Sequence, residues 1–140
     1  MLVVLHDDRD RVAFAQGAVQ RWQAVGIGGG TFVAVAASGG NQVMTSTDGT
    51  DWTPRDAAFA ADWRSATSDG STKFVAVAHN QADRAMTSPT GVTWTASGDV
   101  DDTDNATWTS VTYGQSTYVA VADQGGTNRV MTSANGTAWD

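Results

Sequence analysis

The clearest pattern along the chain is a short run that is apolar at every position and occurs three times. The run Phe-Val-Ala-Val-Ala occupies residues 32–36, returns at 74–78, and returns with Tyr in place of Phe at 118–122. A strand that is apolar on both faces must be covered on both faces. Gly, Asn, Asp and Ser fill the gaps, as is typical of turns. The pattern predicts buried β-strands joined by tight turns, and no segment has a helical period.

Further landmarks repeat with the apolar run and define a unit of four predicted strands. The first strand opens at a Trp, the second is the apolar run, the third is a Met-Thr-Ser run, and the short fourth carries another Trp. The period is 42 residues and then 44 to 45. The Trp residues that open the units are Trp22, Trp63 and Trp108, and those of the fourth strand are Trp52, Trp94 and Trp139.

Four-stranded units of this length, buried on both faces, are typical of β-propeller blades. A β-solenoid has a shorter period, and a β-sandwich does not require identical repeats. The sequence therefore predicts an all-β domain with three propeller blades, at residues 22–53, 63–95 and 108–140. Residues 1–21 are interpreted as a degenerate half-blade or as a strand that completes a blade of the propeller. Residues 2–5 are apolar and stand where a third strand is expected.

The turn between the third and fourth predicted strands has the pattern Ser-x-Asp-Gly-x-x-Trp. It is complete in the first unit, whereas Thr90 and Asn135 replace the Asp in the other two. This pattern resembles the Asp-box, or BNR repeat, of sialidase-like β-propellers, and the resemblance extends over residues 22–139. It implies a structural turn on the face away from the family's active site. The residues assigned to these turns are Ser46, Asp48, Gly49, Trp52, Ser88, Gly91, Trp94, Ser133, Asn135, Gly136 and Trp139.

Composition and charge exclude several kinds of partner and chemistry. All 15 acidic residues are Asp and the net charge is -7, which does not suit binding to nucleic acid or an anionic membrane surface. The chain has no Cys, so disulfides and thiolate chemistry are excluded. No apolar run approaches the ~18 residues of a membrane span, and the opening residues do not form a signal peptide. An extracellular or virion-associated location is an expectation from the repeat family alone.

Three blades are fewer than the ~4 that a closed propeller needs. An open set of three would expose apolar faces and unpaired strand edges. We therefore expect homo-oligomerisation, most simply a dimer that gives six blades with two-fold symmetry. The alternative is that the sequence is a fragment of a longer propeller protein.

The sialidase-like resemblance raises the question of catalysis, which in that family uses an arginine cluster, a Tyr nucleophile activated by Glu, and an Asp acid/base. This chain has no Glu, Tyr118 lies in a predicted core strand, and Tyr113 lies beside a turn. No pair of Asp residues stands out as a glycosidase pair. The sequence predicts a protein that is not an enzyme, and a degenerate glycosidase is a further alternative. The arginines, which share no evident motif, are Arg21, Arg55, Arg64, Arg84 and Arg129.

Metal and cofactor sites are not expected. The Asp residues between positions 99 and 104 resemble a calcium loop, but they lack the loop's central Gly and its closing Glu. The Gly-rich segment 26–30 precedes a predicted strand rather than a helix, which excludes a nucleotide-binding turn.

Two sets of loops differ between the copies although the strands barely change. They join the second strand to the third and each blade to the next, and both open on the face opposite the box turns. Polar side chains there suit hydrogen bonding to sugar hydroxyls, and Trp63 and Trp108 border this face and suit stacking on a sugar ring. The alternative is that these loops vary in sequence because no function constrains them, and that both Trp residues belong to the hydrophobic core. The candidate ligand-binding residues are Asn41, Trp63, His79, Asn80, Asp83, Arg84, Trp108, Asp123, Asn128 and Arg129.

The first functional prediction is a non-catalytic, lectin-like module that binds a glycan or a cell-surface ligand, with avidity from repeated weak sites. The alternative is a structural or protein-interaction propeller, including a piece of a larger extracellular or phage-type adhesion protein.

Overall fold

The computed structural model describes residues 20–79, 84–97, 105–125 and 127–140. These residues contain eleven strands and no helix. The segment before residue 20, Asn80, Asp83 and the Asp cluster between positions 99 and 104 lie outside the described residues. The strands are β1 (Trp22–Gly28), β2 (Thr31–Ala36), β3 (Val43–Ser46), β4 (Thr53–Arg55), β5 (Trp63–Ser68), β6 (Phe74–Ala78), β7 (Ala85–Ser88), β8 (Thr95–Ala96), β9 (Thr107–Gly114), β10 (Thr117–Gln124) and β11 (Val130–Ser133).

The strands form three antiparallel sheets with the same strand order and register. Blade 1 is β1-β2-β3-β4, blade 2 is β5-β6-β7-β8, and blade 3 is β9-β10-β11. In each blade the aromatic residue of the second strand pairs with the Ser that ends the third, as in Phe32 with Ser46 and Phe74 with Ser88. Blade 3 has no assigned fourth strand, but Asp140 and Thr132 exchange backbone hydrogen bonds of 3.0 and 2.9 Å. Asp140 thus occupies the first position of that strand, and the predicted all-β repeat is confirmed.

The second strands of blades 1 and 2 are buried on both faces, as their composition predicts, whereas in the second strand of blade 3 Val121 is 43% exposed. Residues 33–36 of β2 and 75–78 of β6 are fully buried. Alternating Val and Ala keeps these strands thin, so that blades can stack on either side. Burial of one Val side chain stabilises the fold by about 1.5–3 kcal/mol.

The core consists of two equivalent clusters, one at each junction between blades. In the first, Val33, Val35 and Val43 of blade 1 pack against blade 2, where Trp63 and Met86 are buried. In the second, Val75, Val77 and Ala85 of blade 2 pack against blade 3. The first strands of successive blades also contact each other, β1 with β5 and β5 with β9. This arrangement places the first strands on the inner side of the set of blades.

The antiparallel order separates the loops onto two opposite faces. The β1–β2 turn and its equivalents lie at one end of the blades together with the turns between the third and fourth strands. We call this end the box face. The loops between second and third strands lie at the other end, called the top face, with the connectors between blades. The top face is the one predicted to carry a ligand.

Candidate functional site

The turns on the box face are held by a repeated set of hydrogen bonds. In blade 1 the Ser46 hydroxyl accepts hydrogen bonds from the backbone N–H groups of Asp48 and Gly49, at 3.2 and 2.8 Å. The carboxylate of Asp48 accepts from the N–H groups of Thr50 and Asp51, both at 2.8 Å. Hydrogen bonds from the Asp51 and Thr50 N–H groups lower the pKa of Asp48 below its usual value.

The substitutions in the other two turns change this set of hydrogen bonds to different extents. In blade 3 the side-chain oxygen of Asn135 accepts from the N–H groups of Thr137 and Ala138, at 2.8 and 2.9 Å. In blade 2 the hydroxyl of Thr90 accepts from the N–H of Val92 alone, at 3.3 Å. Asn therefore replaces Asp fully, whereas Thr provides one weaker hydrogen bond.

The glycines of these turns let one blade approach the next. A Cβ on Gly91 would stand 2.7 Å from Cγ2 of Val33, and a Cβ on Gly136 would stand 2.6 Å from Cγ2 of Val75. Both glycines have positive φ, at 84° and 76°. The turn of each blade thus seats on the second strand of the preceding blade, which is a structural role.

The top face carries a cluster of charged side chains that spans blades 2 and 3. His79, which follows β6, lies with Nε2 3.4 Å from the Asp123 carboxylate of β10 and Nδ1 3.9 Å from the Asp62 carboxylate. The guanidinium of Arg64 donates a 2.6 Å hydrogen bond to Asp62. The hydroxyl of Thr107 donates to Asp123. We call these residues, Asp62, Arg64, His79, Thr107 and Asp123, the top-face cluster.

The contacts within the cluster set its charge. The hydrogen bond to Asp62 raises the pKa of Arg64. The hydrogen bond from the Thr107 hydroxyl, together with the nearby His79, lowers the pKa of Asp123. Arg64 and Asp123 are therefore both ionised at neutral pH. Their side chains are 35% and 50% exposed, so a polar ligand can reach a cation and an anion on adjacent blades.

A second set of polar residues on the top face is used to join the blades. Gln42, buried before β3, donates to the carbonyl of Ala61 at 2.6 Å and accepts from its N–H at 3.0 Å. Arg84, buried at the equivalent position before β7, donates to the carbonyl of Ala106. Ala61 and Ala106 each stand two residues before the Trp that opens the next blade. These side chains act as structural bridges.

The structure corrects three of the predicted ligand-binding residues. Trp63 and Trp108 are almost completely buried in the blade junctions, so neither presents a ring face to a sugar. The ring of Phe59, from the connector, lies 5.1 Å from that of Trp63 between centroids and contributes to this burial. Arg84 is likewise buried and serves as a bridge. The alternative interpretation of both Trp residues as core is the correct one.

The remaining predicted residues differ in their access to solvent. His79 and Asp123 belong to the top-face cluster. Asn41 is half-buried, and its amide donates a 2.8 Å hydrogen bond to Asp56 of the connector. Asn128 and Arg129 are exposed next to β11.

Sequence reasoning missed three members of the cluster, Asp62, Arg64 and Thr107. A signal for them existed, since Asp62 and Arg64 flank Trp63 and Thr107 directly precedes Trp108. Residues beside the Trp that opens a blade lie at the top-face end of the first strand. Two of the arginines do share a position in the repeat, because Arg84 and Arg129 both stand directly before a third strand.

The described part of the chain shows neither a metal cluster nor a membrane-spanning helix. No group of three or more His, Cys, Asp or Glu side chains among those residues is placed to hold a metal ion. None of the described segments forms a helix of the length and apolarity that crossing a membrane requires.

Comparison with known proteins bears on the fold. Neither a protein-family model nor a curated protein sequence matches the chain. The structure is similar to YCF48 from Cyanidioschyzon merolae, with a TM-score of 0.64 and 16% identity over 90% of this chain and 38% of that one. It is also similar to the Bombyx mori GH32 beta-fructofuranosidase BmSUC1, with a TM-score of 0.52 and 12% identity over 86% of this chain and 34% of that one.

This chain therefore spans less than two fifths of either similar structure. At such identities the likeness concerns the fold alone, and it confirms a β-propeller. Assignment to the Asp-box repeat family stays a prediction, because no family model matches.

Proposed function

We propose that this chain is a non-catalytic β-propeller module of the Asp-box type that binds a glycan through its top face. The observation that carries the proposal is the top-face cluster, in which Arg64, His79 and Asp123 present a cation, an imidazole and a carboxylate across two blades. Planar polar groups of this kind donate to and accept from sugar hydroxyls. Arg64 lies in β5, Asp123 lies in β10 and His79 directly follows β6, which favours binding to a pre-organised site.

The burial of Trp63 and Trp108 changes the kind of recognition expected. Without an accessible aromatic ring in the cluster, affinity should come from charge-assisted hydrogen bonds rather than from stacking. Such a site is weak alone and gains from multivalent display. We propose no hydrolysis, since no described pair of carboxylates stands apart as an acid and a nucleophile.

A glycan array with the purified chain tests this proposal. We expect binding to a defined set of glycans, with a loss of at least about 10-fold for His79→Ala and Asp123→Ala because each removes charge-assisted hydrogen bonds. Asp51→Ala is the matched control, since it removes one exposed carboxylate from the box face. Equal losses in all three variants would contradict binding at the cluster.

Absence of any glycan binding by the unaltered chain would favour the alternative, a structural or protein-interaction propeller. That alternative includes a piece of a larger extracellular or phage-type adhesion protein. It predicts that a protein partner, rather than a sugar, contacts the exposed loops.

A further inference from the structure

We propose that two copies of this chain associate head to tail, each packing its blade 3 on blade 1 of the other, and so close a six-bladed ring. The inference rests on the two open sides of the blade set and does not depend on glycan binding. We call the side of a blade that faces the next blade its trailing face, and the side that faces the preceding blade its leading face.

The two junctions inside the chain are built from equivalent residues. Each trailing face presents three small apolar side chains, two from the second strand and one from the third. In blade 1 these are Val33, Val35 and Val43, and all are fully buried. In blade 2 they are Val75, Val77 and Ala85, which are also fully buried.

Each trailing trio packs on a leading face of larger side chains, again at equivalent positions. The leading residues of blade 2 are Trp63, Ala66, Phe74, Met86 and Trp94. Those of blade 3 are Trp108, Val111, Tyr118, Met131 and Trp139. Because the same pairing forms twice, the chain itself demonstrates that the two kinds of face are complementary.

Blade 3 has the same three apolar positions on its trailing face, but the described residues bury them less than the equivalent residues of blades 1 and 2. These positions in blade 3 are Val119, Val121 and Val130. Val121 is 43% exposed and Val130 is 49% exposed, whereas their equivalents in blades 1 and 2 are completely buried. Val119 is half-buried.

Blade 1 has the matching leading face, which the described residues cover only in part. Val25, the equivalent of Ala66 and Val111, is 58% exposed. Trp22, Phe32, Met44 and Trp52 are half-buried, although their equivalents in the other blades are nearly all buried. A second copy of the chain carries both complementary faces, with the same chemistry as the junctions inside the chain.

Polar groups beside the two open faces are also complementary, because each junction inside the chain has a side chain that bridges to a backbone carbonyl of the next blade. Gln42 and Arg84 bridge to the carbonyls of Ala61 and Ala106 in the next blade. Arg129 stands at the equivalent position of blade 3, and the residue two before Trp22 is Gln20. In the ring, Arg129 therefore donates to the carbonyl of the partner's Gln20.

The number of copies follows from the geometry of propellers. A closed ring of three-bladed chains contains a multiple of three blades. Propellers have typically 4–8 blades, and six is the one multiple of three in that range. Two copies related by a two-fold axis therefore close the ring, with two identical junctions.

The first experiment measures the mass in solution by light scattering behind a sizing column. We expect twice the 14.6 kDa of one chain. A single-chain mass at about 100 μM would overturn the proposal, since a ring with two junctions should associate far more tightly. A mass of three copies, or an open-ended series of larger species, would overturn it as well.

Point variants then test which faces meet. Val25→Asp and Val130→Asp should each reduce association at least about 100-fold, because each places an unpaired carboxylate in both junctions. Val92→Asp is the matched control, since Val92 is 42% exposed and lies in the box turn of blade 2 rather than on an open face. If only one of the two variants dissociates the ring, blade 1 meets blade 1 or blade 3 meets blade 3, and the proposal is wrong.

A cross-link gives a positive test that does not depend on loss of binding. Inside the chain the N–H of Val111 donates to Oγ of Ser65 at 3.1 Å across the junction of blades 2 and 3. The equivalents at the new junction are Val25 and Ser110. The chain has no native Cys, so the double variant Val25→Cys/Ser110→Cys should form disulfide-linked pairs under air oxidation. Val92→Cys/Ser110→Cys should not, and absence of the link in the first variant would count against the head-to-tail junction.

Discussion

Val77 and Val121 stand at the same position of the second strand in successive blades, yet Val77 is fully buried and Val121 is 43% exposed. Each pairs with a Ser of its neighbouring first strand, Val77 with Ser65 and Val121 with Ser110. Val77 is covered by blade 3, whereas no described blade covers Val121. Whether an apolar side chain of a second strand is buried therefore depends on a neighbouring blade and not on its own sheet.

This relationship predicts two different responses to the same truncation. Val77→Ala should lower the free energy of unfolding by about 2 kcal/mol at every protein concentration, since it opens a cavity in a formed junction. Val121→Ala should have a smaller effect that grows with concentration, because it acts on association. Urea unfolding of both variants at several concentrations measures this, and a large concentration-independent effect of Val121→Ala would contradict it.

A substitution at Thr90, in the turn between the third and fourth strands of blade 2, should stabilise the fold. Thr90→Asp supplies the acceptor that Asp48 uses for two backbone N–H groups in blade 1, whereas Thr90 now accepts one. We expect a gain of about 0.5–1 kcal/mol in the free energy of unfolding. Thr90→Asn should gain a similar amount, as Asn135 accepts the same pair in blade 3.

Thr90→Val is the control for this turn, because it keeps the shape of the side chain and removes the hydroxyl. It should lower stability slightly. If Asp, Asn and Val at this position are all equal to Thr in urea unfolding, the side-chain acceptor does not stabilise the turn.

The close approach of Gly91 to Val33 predicts coupling between the two residues. Gly91→Ala should cost about 1–3 kcal/mol, since its Cβ meets Cγ2 of Val33 at 2.7 Å and its φ is 84°. Val33→Ala removes that methyl group, so the double variant should be more stable than the sum of the two single effects predicts. Purely additive effects in a double-mutant cycle would show that the blades separate enough to relieve the contact.

The turn between β5 and β6 predicts a dependence of stability on pH. Burial raises the pKa of Asp69, but hydrogen bonds from the Thr72 hydroxyl and from the N–H groups of Ser71, Thr72 and Lys73 outweigh it and lower the pKa to about 2. A folded-state pKa below the usual value of 3.8 means that the stabilisation is present above pH 4. It is lost as the pH falls from about 4 to about 2.

Asp69→Asn tests this dependence. The variant should show a smaller loss of stability between pH 4 and pH 2 than the unaltered chain, measured by thermal unfolding across that range. Asp51→Asn serves as the control, because Asp51 is an exposed carboxylate on the same face of the protein. Identical pH profiles for the Asp69 variant and the unaltered chain would exclude this carboxylate as the source.

Much of the fold could be predicted because the same pattern of strands and turns occurs three times in the sequence. The apolar run at 32–36 predicts a strand covered on both faces, and its residues 33–36 are fully buried. The turn at Ser46 and Asp48 was predicted from local chemistry, since its hydrogen bonds join residues at most three apart. Such features need only the nearest neighbours along the chain.

The top face was predicted less well, because its geometry depends on contacts between blades. Trp63 and Trp108 are near the top face in sequence order, but the neighbouring blade and the connector enclose them. Arg84 is polar in sequence and buried in the fold, since the carbonyl of Ala106 lies within its reach.

The amino-acid sequence by itself determined the strands, the box turns and the repetition of the blade, because periodicity and turn chemistry act over a few residues. The tertiary structure alone decided that His79 meets Asp123, that Gln42 and Arg84 join successive blades, and which copies of each repeated residue are exposed. The physical reason is that stacking brings together residues at least 19 positions apart, and no described blade covers the outer sides of blades 1 and 3.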